Sequence, residues 1–237
     1  MRALRAAFGY FSIVPAGAAD SPDATAMAWL PFVGAVIGAV AGGLAMLVDA
    51  NGPHAVAVAT AFGATIVLTG ALHVDGFLDV CDAAFARVPV ERRFAILKDP
   101  RHGTFAAAGF AVLAVAWLAA LWSLGGDVYP LALAFAAASA RWASVVHALY
   151  APYGGGASTN AFTARPPFAL IALGLVLLAA LAWPLGARGA WSLLTAVVTA
   201  ALAIAFARGR FGGALTGDAY GFSICIAEVA ALLVVAS

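Results

Sequence analysis

The sequence is poor in charged residues. Only 12 of its 237 residues are basic and 11 are acidic, so 10% are charged, whereas 65% are hydrophobic. Soluble domains carry about 25% charged residues. This shortage argues against a soluble globular enzyme and a disordered chain. A net charge of +1 also excludes a protein whose basic surplus binds nucleic acid.

Cysteine is equally scarce. Cys81 and Cys225 are the two cysteines of the chain, they lie far apart, and neither belongs to a CxxC pair. This excludes a disulfide scaffold and a cysteine-rich zinc site.

Long apolar stretches are what the sequence contains instead. A membrane-spanning helix needs about 20 mostly apolar residues. We predict an all-α fold, a polytopic integral membrane helix bundle in which residues 1–237 form a single domain. Seven stretches qualify as spans: Ala28–Val48, Ala55–Leu72, Thr104–Leu124, Val128–Tyr150, Phe168–Leu185, Ala190–Phe206 and Gly221–Ala236. The fifth and sixth are short and could form one re-entrant or tilted pair.

The first 27 residues form a separate segment. Arg2 and Arg5 precede a short apolar run that ends at Val14, a pattern that cleaved signal peptides share. Because Gly9 interrupts the run and Pro15 ends it, we favour an amphipathic helix that stays at the membrane interface.

The basic residues are distributed unevenly between the two sides of the predicted bundle. With the N-terminus in the cytoplasm, ten of the twelve fall on the cytoplasmic side, only Arg188 falls outside, and Arg141 lies within a span. We therefore expect a multi-pass protein of the bacterial cytoplasmic (inner) membrane. Its catalytic face is predicted to be formed by the cytoplasmic connections 73–103, 151–167 and 207–220.

Three acidic residues form the densest polar feature. Asp75, Asp79 and Asp82 have helical spacing and share one helix face. Crowded carboxylates repel one another unless a cation or a raised pKa relieves them, and a divalent metal ion bound through oxygen does so. The alternative is a helix start with acids near its positive dipole, which does not account for the third carboxylate. The spacing favours a metal site.

His73 stands immediately before this acidic group. It is a candidate metal ligand or general base, and equally an ordinary interfacial histidine. If the helix begins at Val74 or Asp75, His73 precedes it and can fold over the carboxylates.

A basic segment precedes the third predicted span. Lys98, Asp99 and Arg101 alternate in charge and lead into Gly103 and Thr104 at the start of that span. A helix N-terminus beside basic residues is suited to bind phosphate, although the same charges also suit an ordinary cytoplasmic flank.

A glycine-rich connection precedes the last predicted span. It contains Thr216, Gly217 and Asp218, and its glycines allow a ligand to approach the backbone closely. The alternative is a flexible linker in which Asp218 only caps the following helix.

Two ionisable residues, Arg141 and Glu228, lie at membrane depth. They can form an ion pair with each other, or line the path of a transporter. The transporter is disfavoured because five of the eleven acids fall between Asp75 and Asp99, in one connection.

The chain resembles the cobalamin synthase family. Thr69 to Asp82 is similar to the family signature TGxxHxDGxxDxxDG, and Lys98 to Thr104 is similar to its [KR]-D-[SP]-R-x-G-T segment. Six further residues match the family's GGxTGDxxGxxxExxE ending: Gly213, Thr216–Asp218, Gly221 and Glu228.

The resemblance implies the last joining step of adenosylcobalamin (vitamin B12) synthesis. In that reaction α-ribazole or its 5′-phosphate attacks adenosylcobinamide-GDP, GMP leaves, and Mg²⁺ is required. We expect Asp75, Asp79, Asp82 and Asp99 to hold Mg²⁺ and His73 to act on the attacking hydroxyl. Phosphate binding is expected from Lys98, Arg101, Gly103, Thr104, Thr216, Gly217 and Asp218.

The small-molecule substrates and the lipid bilayer are the expected partners, nucleic acid is not, and a homo-oligomer is an open possibility. An alternative enzyme class is a lipid-forming CDP-alcohol phosphotransferase. Its Asp-Gly-x-x-Ala-Arg pattern is not met, because Asp79 and Val80 occupy the last two positions.

Overall fold

The computed structural model describes residues 2–16, 22–148 and 165–237. The described part contains eleven α-helices. They are α1 Arg2–Phe11, α2 Ala24–Ala28, α3 Leu30–Asp49, α4 His54–Leu68, α5 Leu72–Phe85, α6 Val90–Ile96, α7 Thr104–Trp122, α8 Tyr129–Ala148, α9 Phe168–Ala182, α10 Ala187–Arg210 and α11 Gly217–Ala236.

Several of these helices have the length and composition of membrane spans. Five candidate spans are Leu30–Asp49, Thr104–Trp122, Phe168–Leu185, Ala187–Arg210 and Gly217–Ala236. The bent pair α4 and α5 makes a sixth if it is counted as one broken span. Helices suit this environment because they satisfy their own backbone hydrogen bonds in lipid. The all-α membrane bundle is confirmed, whereas the predicted number of seven spans is not.

The bent pair lies elsewhere than the sequence suggested. The predicted fifth and sixth spans are two separate candidate spans. The sharp bend, 86°, instead separates α4 from α5. Gly70 and Ala71 both adopt left-handed backbone angles there, with φ of 59° and 58°. A glycine in this conformation ends a helix, and the second left-handed residue redirects the chain.

Two of the predicted cytoplasmic connections differ in the structure. The connection 73–103 consists largely of α5 and α6, and α5 packs against α7 and α11 inside the bundle. The acids of α5 lie on one face of the helix, and its apolar residues lie on the opposite face, where they are buried. The segment is therefore a helix packed in the bundle. The connection 207–220 shortens to residues 211–216. The third, 151–167, lies mostly outside the described residues.

Helix α8 occupies the centre of the bundle and makes its most extensive contact with α3. Glycines on α3 permit this contact. A Cβ atom at Gly38 would clash with the Leu133 carbonyl oxygen, and one at Gly42 would clash with that of Tyr129. The two backbones therefore touch, as small residues allow in membrane bundles.

The N-terminal segment forms a helix, as expected. Ala7 and Phe11 of α1 are buried against the bundle. After the helix, the Ile13 amide donates a 3.0 Å hydrogen bond to the Leu68 carbonyl at the end of α4. The segment thus lies against the turn that leads into α5.

Candidate active site

The acidic face of α5 forms the base of the candidate site. The Asp75 side chain is 63% exposed and that of Asp79 is 15% exposed. Asp82, one turn further along, is buried. The predicted helical spacing is confirmed, and the three carboxylates run from the surface into the interior.

Helix α11 crosses α5 at very close range and brings a further carboxylate to this face. A Cβ atom at Gly76 would lie 2.9 Å from the Asp218 Cα, and one at Gly221 would lie 2.9 Å from the His73 carbonyl oxygen. Only glycine at both positions allows this crossing. Asp218 and Asp75 consequently act electrostatically on Asp79.

The start of α11 is organised by its own residues. Thr216 is the N-cap, and its hydroxyl accepts a 3.3 Å hydrogen bond from the Ala219 amide. Gly217 and Asp218 form the first turn. Asp218 therefore does not cap the helix, and its carboxylate is half-buried beside the α5 acids.

A histidine to which the sequence analysis gave no role, His102, lies beside the acids of α5. The His102 ring nitrogens lie 3.8 Å from an Asp75 oxygen and 3.5 Å from an Asp79 oxygen. Its imidazole thus lies close to both acids. The sequence offered one sign of this role: His102 lies between Arg101 and Gly103, in a segment that is already expected to contribute to the site.

Asp82 holds the beginning of α7. One carboxylate oxygen accepts a short hydrogen bond from the Gly103 amide, and the other accepts a 2.9 Å bond from the Ala106 amide. The start of α7 at Gly103 and Thr104 is the predicted phosphate site. Two of its amides already donate to a carboxylate of the protein, that of Asp82. Since α7 has no N-cap side chain of its own, Asp82 supplies this function from α5.

The basic segment before α7 lies at the surface. The Arg101 guanidinium donates 2.9 and 2.7 Å hydrogen bonds to the two oxygens of Asp99. These bonds lower the pKa of Asp99 to about 2. Lys98 is exposed and makes no side-chain hydrogen bond or ion pair with another described residue. Asp99 and Arg101 are thus brought together, but not with the α5 acids.

His73 lies within α5, because the helix begins at Leu72 rather than at Val74 or Asp75. Two residues along a helix point in roughly opposite directions, so His73 diverges from Asp75 by about 200°. Its ring is buried and stacks on Phe11, with 6.4 Å between ring centroids. Its Nε2 has no hydrogen-bond partner among the described residues.

Arg141 and Glu228 form an ion pair, which is one of the two alternatives predicted for them. Arg141 Nη1 lies 2.8 Å from a Glu228 oxygen, and both side chains are almost fully buried. Arg141 Nη1 also donates a 2.9 Å bond to the Ala137 carbonyl. Gly34 makes room for it, since a Cβ there would lie 2.6 Å from the Arg141 Cδ. The pair links α8 to α11.

The donor chemistry of the site fits a hard divalent cation. No three histidine, cysteine, aspartate or glutamate side chains in the described ranges converge into a ready metal cluster. Mg²⁺ does not require one, because it keeps several waters and takes one or two carboxylates together with substrate phosphates. Asp75, Asp79 and Asp218 offer such carboxylates, whereas Asp82 and Asp99 are already hydrogen-bonded.

Comparison with known proteins identifies the family. The family model described as cobalamin-5-phosphate synthase matches residues 3–236. A relative from Leptothrix cholodnii, named adenosylcobinamide-GDP ribazoletransferase, is 35% identical over 86% of this chain and 81% of its own. Proteins of the same name from Deinococcus radiodurans and Halorubrum lacusprofundi are 36% and 33% identical, over 88% and 98% of this chain and 74% and 95% of theirs. No solved structure matches the chain. The chain belongs to the cobalamin-5-phosphate synthase family.

Proposed function

We propose that this protein joins α-ribazole, or its 5′-phosphate, to the cobinamide-bearing phosphate of adenosylcobinamide-GDP. The ribazole hydroxyl forms the new P–O bond and loses its proton, and the bond to GMP breaks. The observation that carries the proposal is the close glycine crossing of α5 and α11, which brings Asp218 within electrostatic range of Asp75 and Asp79. It lies on the residues that match the family motifs.

The carboxylates are proposed to hold Mg²⁺. When bound, Mg²⁺ would neutralise negative charge on the phosphate oxygens, which is the main requirement of phosphoryl transfer. Asp75 and Asp79 would hold it, with Asp218 as the third carboxylate of the site. Asp82 accepts the hydrogen bond of the Gly103 amide and so positions the start of α7. Because His102 directly precedes Gly103, the same bond positions His102 as well.

The cationic side chains are proposed to bind the pyrophosphate. Lys98 is unpaired among the described residues, and Arg101 has an exposed guanidinium that Asp99 orients. Arg92 is also exposed on α6. Charged side chains of this kind bind phosphate groups by charge-assisted hydrogen bonds.

The imidazole closest to the proposed reacting groups is that of His102. We propose that it orients or deprotonates the ribazole hydroxyl, because it lies against Asp75 and Asp79. A general base needs to be within hydrogen-bond reach of the proton that it takes. The sequence-based role of His73 stays a prediction, and comparing His73→Ala with His102→Ala separates the two.

The proposal is tested with the purified chain in lipid nanodiscs. Adenosylcobinamide-GDP, α-ribazole and Mg²⁺ are supplied, and GMP release and the joined product are measured by chromatography. We expect both products in equal amounts, and neither when α-ribazole is left out. GMP release without joined product would identify a hydrolase instead, and turnover of a CDP-alcohol lipid would favour the alternative transferase.

We also propose that the site faces the cytoplasm of the bacterial inner membrane. The unequal distribution of basic residues supports this orientation. Cys81 and Cys225 are buried, so introduced cysteines are labelled against a low background. Arg92→Cys should resist a membrane-impermeant maleimide in intact cells, whereas Asp127→Cys, at the opposite end of α7, should react. The reverse pattern would overturn the orientation.

A further inference from the structure

An apolar groove lies on the side of α5 opposite its acids. Helices α5, α7 and α11 line this open groove, whose volume is about 610 Å³. Phe77 and Cys81 of α5 lie along it, together with aliphatic and aromatic residues of α7 and α11. None of its lining residues is charged. Among the described residues no element covers it. Because its lining is apolar, the groove is suited to an apolar occupant.

The groove has the depth of one membrane leaflet. On α7 it extends from Phe105 to Ala116. Eleven residues of α-helix rise about 17 Å. The hydrocarbon core of a bilayer is about 30 Å thick, so one leaflet occupies about 15 Å. Because α7 and α11 have the length and composition of membrane spans, the groove lies at the depth of acyl chains.

Basic groups lie at one end of the groove and none lies along it. Phe85 and Phe105 stand at this end and are each about half exposed. Arg210 Nε donates a 2.6 Å hydrogen bond to the carbonyl of Ala84, next to Phe85, which places its guanidinium at the mouth. Arg87, two residues after Phe85, is exposed and makes no side-chain hydrogen bond or ion pair with another described residue.

The carboxylate one turn before this mouth is already engaged in hydrogen bonds to α7. Asp82 precedes Phe85 by one turn, and both of its oxygens accept amide hydrogens of α7. The two guanidiniums therefore have no carboxylate partner there among the described residues. Basic residues beside an apolar groove between spanning helices are typical of anionic-lipid sites.

We propose that the groove binds one acyl chain of an anionic phospholipid, whose phosphate is held by Arg87 and Arg210. The apolar walls account for the chain, and the two guanidiniums account for a preference for an anionic headgroup. A bound chain fills the space between α5 and α7 and so supports the helix that carries the acids. This inference does not depend on the reaction proposed above.

The test uses the full chain, purified in a mild detergent and mixed with equal amounts of phosphatidylglycerol and phosphatidylcholine. Native mass spectrometry counts the lipids that remain bound. We expect one phosphatidylglycerol to be retained several-fold more often than phosphatidylcholine. Arg87→Gln should remove this preference, whereas Arg188→Gln, a basic residue outside the groove, should leave it unchanged.

A groove-filling variant tests the apolar part. Ala116→Phe should abolish retention of both lipids, while Val198→Phe, on the exposed side of α10, should not. If Ala116→Phe does not fold, Ala230→Phe on the facing helix replaces it. Equal retention of the two lipids, retention in the filled variants, or a dimer in place of bound lipid would overturn the proposal. Displacement by inorganic phosphate alone would also overturn it, since the site would then be a soluble-anion site.

Discussion

Gly76 lies directly against the backbone of Asp218. A Cβ atom at Gly76 would stand 2.9 Å from the Asp218 Cα and 3.0 Å from its carbonyl oxygen, so no other residue fits there without moving α11. This single contact brings the first turn of the last helix onto the acidic face of α5. The carboxylates of the candidate site come from distant parts of the chain, and this contact brings them within electrostatic range of one another.

The first prediction tests this contact. Gly76→Ala should separate α5 from α11, lower the thermal unfolding midpoint in detergent and reduce ribazole transfer. Gly43→Ala is the matched control, because a Cβ there meets nothing within 4 Å. The control should keep its activity and gain about 0.5 to 1 kcal/mol, as alanine does over glycine inside a helix. Equal behaviour of the two variants would show that the close crossing is not required.

The second prediction concerns the charge of the site. Asp79→Asn keeps the side-chain shape and removes one of several like charges that repel one another in a partly buried place. Ribazole transfer should fall by orders of magnitude, while the unfolding midpoint should stay equal or rise. Asp127→Asn, exposed at the opposite end of the bundle, is the control and should change neither quantity. Full activity of Asp79→Asn would remove this carboxylate from the site.

The third prediction separates Asp82 from Asp79. In Asp82→Asn the amide group can accept only one of the two amide hydrogens of α7. Loss of a helix cap costs about 1 to 2 kcal/mol. We expect a lower unfolding midpoint and faster hydrogen exchange in the first turn of α7. A variant as stable as the original chain, with activity lost, would assign Asp82 to the metal site instead.

The fourth prediction concerns the buried ion pair. Glu228→Leu leaves the Arg141 guanidinium without its carboxylate in the interior. Removal of one partner of a buried pair costs about 3 to 5 kcal/mol. The double variant Arg141→Met with Glu228→Leu should recover much of this loss. Unfolding midpoints of the two single variants and the double variant form a cycle, and simple additivity would contradict the coupling.

Much of the fold could be predicted from composition and spacing. The apolar stretches predict helices because lipid offers no other partner for backbone hydrogen bonds, and most predicted spans match helices of the structure. The turn at Gly70 and Ala71 could not be predicted in this way. An apolar run followed by an amphipathic helix has the same composition whether the chain continues straight or folds back.

The sequence by itself determined the all-helical membrane class, the family, and the α5 face with Asp75, Asp79 and Asp82, because periodicity and composition are local properties. Only the tertiary structure decided what each carboxylate meets. Asp82 accepts hydrogen bonds from the amides of α7, and Asp79 lies 3.5 Å from His102. Asp218 packs against Gly76 and acts electrostatically on Asp79. These partners follow from where helices cross, and crossings depend on which small residues of two distant segments come to face each other.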